Sequence, residues 1–185
     1  MDLTISLYIS MTRILIIDQP MNKNMLNGII ILTFILCLQI ESVAQSYNIR
    51  ISGGTNSGRS LLSCRPDGFV DLYNTDDYSG RQQWKFVKLS DGFYNILVSG
   101  GTNEGEKYLS CRPDGFVDLY NQDDNSGRQK WRLELLPNGN YRIQIASGTN
   151  PGKTYLSCTP DGLVDLYSSD DNSGRQQWRI VPLLR

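Results

Sequence analysis

Residues 70–84 read VDLYNTDDYSGRQQW, and near copies return as VDLYNQDDNSGRQKW at 117–131 and VDLYSSDDNSGRQQW at 164–178. The step is 47 residues each time, and it also separates Cys64, Cys111 and Cys158, and Tyr47, Tyr94 and Tyr141. No insertion or deletion breaks the register. Residues 45–185 number 141, three times 47, so the repeats leave almost nothing over. Such a chain has two choices. An open solenoid tolerates any copy number and needs distinct capping repeats at its ends; a closed body fixes the number. Three copies without caps predict closure about a threefold axis.

Each unit reads as four short strands. YNIRI, YNILV and YRIQI alternate apolar and polar residues, as half-buried strands do. A G-T-N-x-G stretch follows, made of turn-forming residues. LLSC or YLSC is a second strand and FVDLY or LVDLY a third, joined by R-P-D-G or T-P-D-G. Proline presets φ and glycine accepts positive φ, so the joint is a hairpin turn. A polar connection, NTDDYSGR in the first unit, leads to a fourth strand starting at tryptophan. No segment has helical period. About a dozen strands in three units predict an all-β domain, a β-trefoil, in which two strands per unit build a barrel and the central hairpins cap it. Closure also removes exposed strand edges. A three-sided β-prism is the competing architecture.

Residues 1–44 differ in kind. MNKNMLN at 21–27 carries one lysine and precedes the apolar run GIIILTFILCLQI at 28–40, with Ser42-Val43-Ala44 before Gln45. A basic start, a short apolar centre and small residues at the cut are the layout of a secretory signal. The run falls short of the about 20 residues of a membrane span, and an uncleaved anchor is the alternative. Residues 1–20 fit neither, and translation is expected to begin at Met21 or Met25. The expected organisation is an extension and signal peptide at 1–44 and a domain at 45–185, with repeats 47–93, 94–140 and 141–185. The mature chain is thus expected to be secreted, with no membrane span.

Composition removes several functions. The chain has no histidine, which excludes Ser-His-Asp and Cys-His catalysis and His-ligated zinc. From Gln45 onward, bases and acids number 16 each, against the basic excess that nucleic acid or an anionic membrane surface calls for. With Cys37 removed in the leader, Cys64, Cys111 and Cys158 remain: an odd set at one equivalent position, which symmetry cannot pair. Small buried side chains are expected there; a disulfide-linked dimer and a metal held by all three thiolates are weaker readings. No cofactor or metal site is expected.

The elements Gln82-Gln83-Trp84, Gln129-Lys130-Trp131 and Gln176-Gln177-Trp178 resemble the Gln-x-Trp signature of ricin-B-type lectin repeats, and the resemblance in architecture spans residues 45–185. It implies a trefoil that binds sugars, each site stacking a hexose on an aromatic ring near the end of the third strand. The matching positions are Tyr73, Tyr120 and Tyr167, with Asp71, Asp118 and Asp165 where the family places a hydroxyl-binding side chain. Two departures mean that a galactose site is not simply copied. The family's aspartate on the second strand falls near Cys64, Cys111 and Cys158, and its asparagine before Gln-x-Trp is replaced by Arg81, Arg128 and Arg175.

Each candidate has a plain reading beside the functional one. The tryptophans fill a barrel core, with indole N–H groups that need acceptors, and the glutamines bond backbone within their own loops. If Val70 and Leu72 face inward, Asp71 and Tyr73 share the outer face, as a sugar platform or as a solvated strand edge. In the acidic loops, one carboxylate caps backbone amides as an Asx turn. The other pairs with arginine, Asp77 with Arg81, Asp124 with Arg128 and Asp171 with Arg175. Those pairs are weak surface bridges or preformed hydroxyl-binding forks. Calcium is a third account, but D-D-x-S-G matches no EF-hand loop. Thr55 and Asn56, Thr102 and Asn103, and Thr149 and Asn150 read as turn chemistry or as one wall of a site.

The expected function is a secreted lectin with three similar, shallow glycan sites, engaging glycans or glycoproteins by avidity. It is not an enzyme: its acids recur equivalently, whereas a glycosidase needs one unequal carboxylate pair. A protein-binding trefoil, protease inhibitor or cytokine-like, is the alternative, although no loop stands out in length; a structural module is another. Repetition alone does not prove function, because a recent triplication repeats neutral residues too.

Overall fold

The computed structural model describes residues 45–56, 58–102, 105–149 and 152–184; the expected leader lies outside them. These residues form twelve strands and no helix. The first unit supplies β1 (Tyr47–Ile51), β2 (Leu61–Cys64), β3 (Val70–Tyr73) and β4 (Trp84–Lys88). The second supplies β5 (Tyr94–Val98), β6 (Tyr108–Cys111), β7 (Val117–Tyr120) and β8 (Trp131–Leu135), and the third β9 (Tyr141–Ile145), β10 (Tyr155–Cys158), β11 (Val164–Tyr167) and β12 (Trp178–Pro182).

First and fourth strands close a six-stranded antiparallel barrel. β4 pairs β5, β8 pairs β9, and β12 returns to β1 through five residue pairs from Tyr47 opposite Pro182 to Ile51 opposite Trp178. Single-residue bridges, Tyr47 with Trp84, Tyr94 with Trp131 and Tyr141 with Trp178, complete the ring. The hairpins β2–β3, β6–β7 and β10–β11 cap one end and are tied to one another in a cycle. Leu72 N–H donates to Gly162 O, Leu119 N–H to Gly68 O and Leu166 N–H to Gly115 O, each at 2.9 Å. This is the β-trefoil, and its ring of bonds explains why the copy number is three.

The turn chemistry follows the sequence. Gly68 N–H donates to Arg65 O at 3.0 Å while Gly68 takes φ +83°, and the chain turns back so that Phe69 O accepts from Arg65 N–H at 2.8 Å. Glycine is needed because other residues pay a steric penalty at positive φ.

Trp84, Trp131 and Trp178 are fully buried with Ile49, Ile96 and Ile143, and Leu72, Leu119 and Leu166 from the hairpins join the same core. Cys64, Cys111 and Cys158 are buried, free thiols, pushed up to about 12 by burial, and so hardly reactive. The first strands depart from simple alternation: Asn48 and Asn95 are buried. Each amide donates to Gln82 O or Gln129 O (2.8 and 2.9 Å) and to Asp76 or Asp123 (3.0 Å), so burial leaves the polar group satisfied. Arg142 replaces that asparagine in the third unit, its Nε 3.8 Å from Asp170 Oδ2.

Candidate functional site

The acidic loop is held from below by Gln-x-Trp. Each indole N–H donates to a second-strand carbonyl: Trp84 to Leu62, Trp131 to Leu109 and Trp178 to Leu156, at 2.8–2.9 Å. Gln82, Gln129 and Gln176 are fully buried. Each accepts from a backbone amide of its own loop, Asp77, Asp124 or Asp171, at 3.3 Å. Its amide also donates across to Ser63, Ser110 or Ser157 at 3.0 Å. The glutamine therefore ties the loop to the second strand.

Both acids of the loop act as caps. Asp76 Oδ1 accepts from Tyr78 N–H at 2.8 Å, which stabilises a left-handed residue at Tyr78 (φ 59°). Asn125 and Asn172 occupy that conformation in the other units, which asparagine adopts more readily. Asp77 Oδ1 accepts from Ser79 N–H and Oγ–H, and its Oδ2 accepts from Arg81 Nη2 at 2.5 Å. Arg81 Nε donates to Ser79 Oγ at 3.0 Å, closing a ring of serine, aspartate and arginine. Arg128–Asp124 and Arg175–Asp171 repeat it at 2.7 Å. The hydrogen bonds of Ser79 first, and then Arg81, hold the Asp77 carboxyl down at about 2. The corresponding serine and arginine do the same to Asp124 and Asp171.

Each arginine stem runs over the next unit. A Cβ at Gly101 would collide with Arg81 Cγ, at Gly148 with Arg128 Cγ and at Gly54 with Arg175 Cγ. The G-T-N-x-G loop thus supplies the floor of the preceding unit's fork, and each fork lies at a junction between repeats. Thr55, Thr102 and Thr149 Oγ1–H donate within their loops to Arg59, Glu106 and Lys153 carbonyls, at 3.2, 2.8 and 2.8 Å. Asn103 and Asn150 lie outside the described residues.

Tyr73, Tyr120 and Tyr167 are 39–40% exposed at the ends of β3, β7 and β11. The Arg128 guanidinium sits 5.8 Å from the Tyr120 ring centroid, within cation–π range. That fork offers an aromatic ring, a guanidinium whose direction is set by two partners, and a carboxylate that stays ionised above about pH 2. Such a set can accept and donate hydrogen bonds to neighbouring hydroxyls beside an apolar face.

Asp71, Asp118 and Asp165 share the outer strand face with the tyrosines but turn toward the neighbouring hairpin. Asp71 pairs with Leu163, Asp118 with Phe69 and Asp165 with Phe116 in isolated antiparallel bridges. Among the described residues, none of these three carboxylates hydrogen bonds to a fork. Burial raises all three, Asp118 to about 6. Sequence spacing groups them with the tyrosine and arginine; the structure places them beside the neighbouring hairpin, because the third strand borders it there. It also adds residues that the motifs leave out: Phe69, Phe116 and Leu163, about half exposed on the hairpins, and Glu106 and Lys153, which reach across from the loops. A signal for the last two is a charged position of the repeat that changes sign, Arg59, Glu106 and Lys153.

No group of three or more His, Cys, Asp or Glu among the described residues is placed to hold a metal ion. No described helix is long and apolar enough to cross a membrane.

No protein-family model and no curated protein matches the sequence. Among solved structures, a GlcNAcα1-4Gal releasing endo-β-galactosidase from Clostridium perfringens is similar with a TM-score of 0.59 and 15% identity. The match covers 76% of this chain and 33% of that one. The chain therefore spans about a third of the enzyme's length, and at this identity the likeness concerns the fold.

Proposed function

We propose that this chain is a secreted carbohydrate-binding protein, a ricin-B-like trefoil lectin with three equivalent outer glycan sites. Each site is the tyrosine–arginine–aspartate fork: Tyr73, Arg81 and Asp77, then Tyr120, Arg128 and Asp124, then Tyr167, Arg175 and Asp171. The observation that carries this reading is the ring of serine, aspartate and arginine, preformed three times, with the half-exposed Tyr120 ring 5.8 Å from the guanidinium in the second unit. A sugar presents an apolar C–H face to the ring and vicinal hydroxyls to the fork, and few groups need reordering on binding. The resemblance in fold to part of an enzyme that by its name acts on a glycan points in the same direction.

Binding rather than acid catalysis is the role of these carboxylates. A general acid works best with a pKa near the operating pH, whereas Asp77, Asp124 and Asp171 are held at about 2. One shallow site binds weakly, and three on one body gain strength by engaging several glycans at once. A glycan array probed with the chain tests the proposal. Binding that rises steeply with glycan density is expected, and silence at every density would remove it.

A further inference from the structure

The hairpins that cap the barrel leave clefts where neighbours meet, away from the forks. One lies between β6–β7 and β10–β11, with a volume of about 240 Å³. Gly115 and Phe116 form one side and Thr159, Leu163 and Asp165 the other, while Lys153 lies across Gly115 at the rim. Phe116 and Leu163 are 51% and 54% exposed, so the apolar walls face open space. Asp165 Oδ1 is buried and accepts no hydrogen bond among the described residues. Buried acceptors are nearly always satisfied, and an unmet one is costly. The carboxylate thus gains a bond if it turns to meet a donor in the cleft.

We propose that this cleft is a second kind of carbohydrate site, which takes a single pyranose ring. A ring hydroxyl donates to the Asp165 carboxylate, which turns toward the cleft on binding, the C–H face of the sugar lies against Phe116 and Leu163, and the Lys153 ammonium donates to a hydroxyl at the rim. The size fits one ring rather than an oligosaccharide, since sites for drug-sized ligands run from about 300 to 1,000 Å³. Burial raises the Asp165 carboxyl from its ordinary range; a donated hydrogen bond favours the ionised form, so sugar and carboxylate stabilise each other.

The corresponding cleft between β2–β3 and β6–β7 is not its copy. It measures about 110 Å³, and Glu106 and Asp118 replace Lys153 and Asp165. Arg112 also lines it, where the larger cleft has Thr159, and the smaller volume leaves less room for a ring. The forks are thus alike three times over, while the capping clefts differ from one another. A pseudo-symmetric protein gains a selective site in this way without altering its repeated ones.

The inference rests on the sugar-binding reading of the protein but places the ligand elsewhere, and one titration separates the two. Backbone amide NMR spectra of the intact chain are followed with D-galactose, D-glucose, D-mannose, L-fucose, N-acetylglucosamine and N-acetylgalactosamine. At least one sugar is expected to shift Gly115, Leu163 and Asp165 saturably. Phe116→Ala should weaken that binding by about tenfold or more, and Asp165→Asn should weaken it while leaving the dispersed spectrum of a folded chain. Shifts at Ser79, Ser126 and Ser173 should persist in both variants. Shifts confined to those serine loops would overturn the cleft and leave the forks standing. Shifts nowhere would overturn both. Cleft shifts that survive both substitutions would also overturn the assignment.

Discussion

In every acidic loop, two polar side chains adjacent in sequence have opposite surroundings. Gln82, Gln129 and Gln176 are fully buried, each spanning from a loop amide to a serine on the second strand. Arg81, Arg128 and Arg175 lie on top, 24–29% exposed at the side chain and paired to aspartates that are similarly open. Both positions recur without change, yet only the first is demanded by folding. An unmet buried amide is expensive, whereas an exposed ion pair contributes about 0–1 kcal/mol. The lower layer makes the trefoil, and the upper layer, held in one geometry by it, is the one proposed to meet a ligand.

That contrast is open to test, beginning with the largest effect. Trp131→Ala removes a fully buried ring and its bond to Leu109 O, and denaturant unfolding should show a loss of about 3–5 kcal/mol. Gln129→Ala strands Ser110 Oγ and the Asp124 amide; a loss of about 1–3 kcal/mol is expected. A loss as small as that of a surface pair would erase the distinction between the layers.

The acids sharpen it through pH. Asp118, raised to about 6 by burial, binds its proton more tightly in the folded chain than in the unfolded one. Its stabilising contribution is full below about pH 4 and is lost as pH rises through about 6. Asp118→Asn should therefore raise the melting temperature at pH 7 and leave it nearly unchanged at pH 4. Asp124, held at about 2, behaves oppositely: its contribution is present above about pH 4 and fades only as pH falls toward 2. The smallest effect on stability belongs to the fork. Arg128→Ala should cost under about 1 kcal/mol while lowering glycan-array binding several-fold.

The period of 47 residues, the P-D-G turns and the alternation in VDLY make the barrel, the caps, the inward tryptophans and the outward tyrosines legible in the sequence. These features are local or repeated, so each is written where it acts. Contacts between units are hidden. That Arg81 rests on Gly101, or that Asp165 faces Phe116, depends on how one unit meets the next, and no spacing within a unit encodes it. Asn48 misleads for a related reason: a polar residue in an alternating strand reads as outward, but carbonyl and carboxylate partners wait for it inside. The pairing of Asp77 with Arg81 is readable because both belong to one short loop; the true surroundings of Asp71 are not, because its strand also borders a neighbouring hairpin.

The most direct measurement replaces Tyr73, Tyr120 and Tyr167 with alanine together and records glycan-array binding and thermal unfolding of the same sample. Binding should be abolished while the chain melts within a few degrees of the parent. Undiminished glycan binding, or a chain that no longer folds, would contradict the division between a structural lower layer and a ligand-binding upper one.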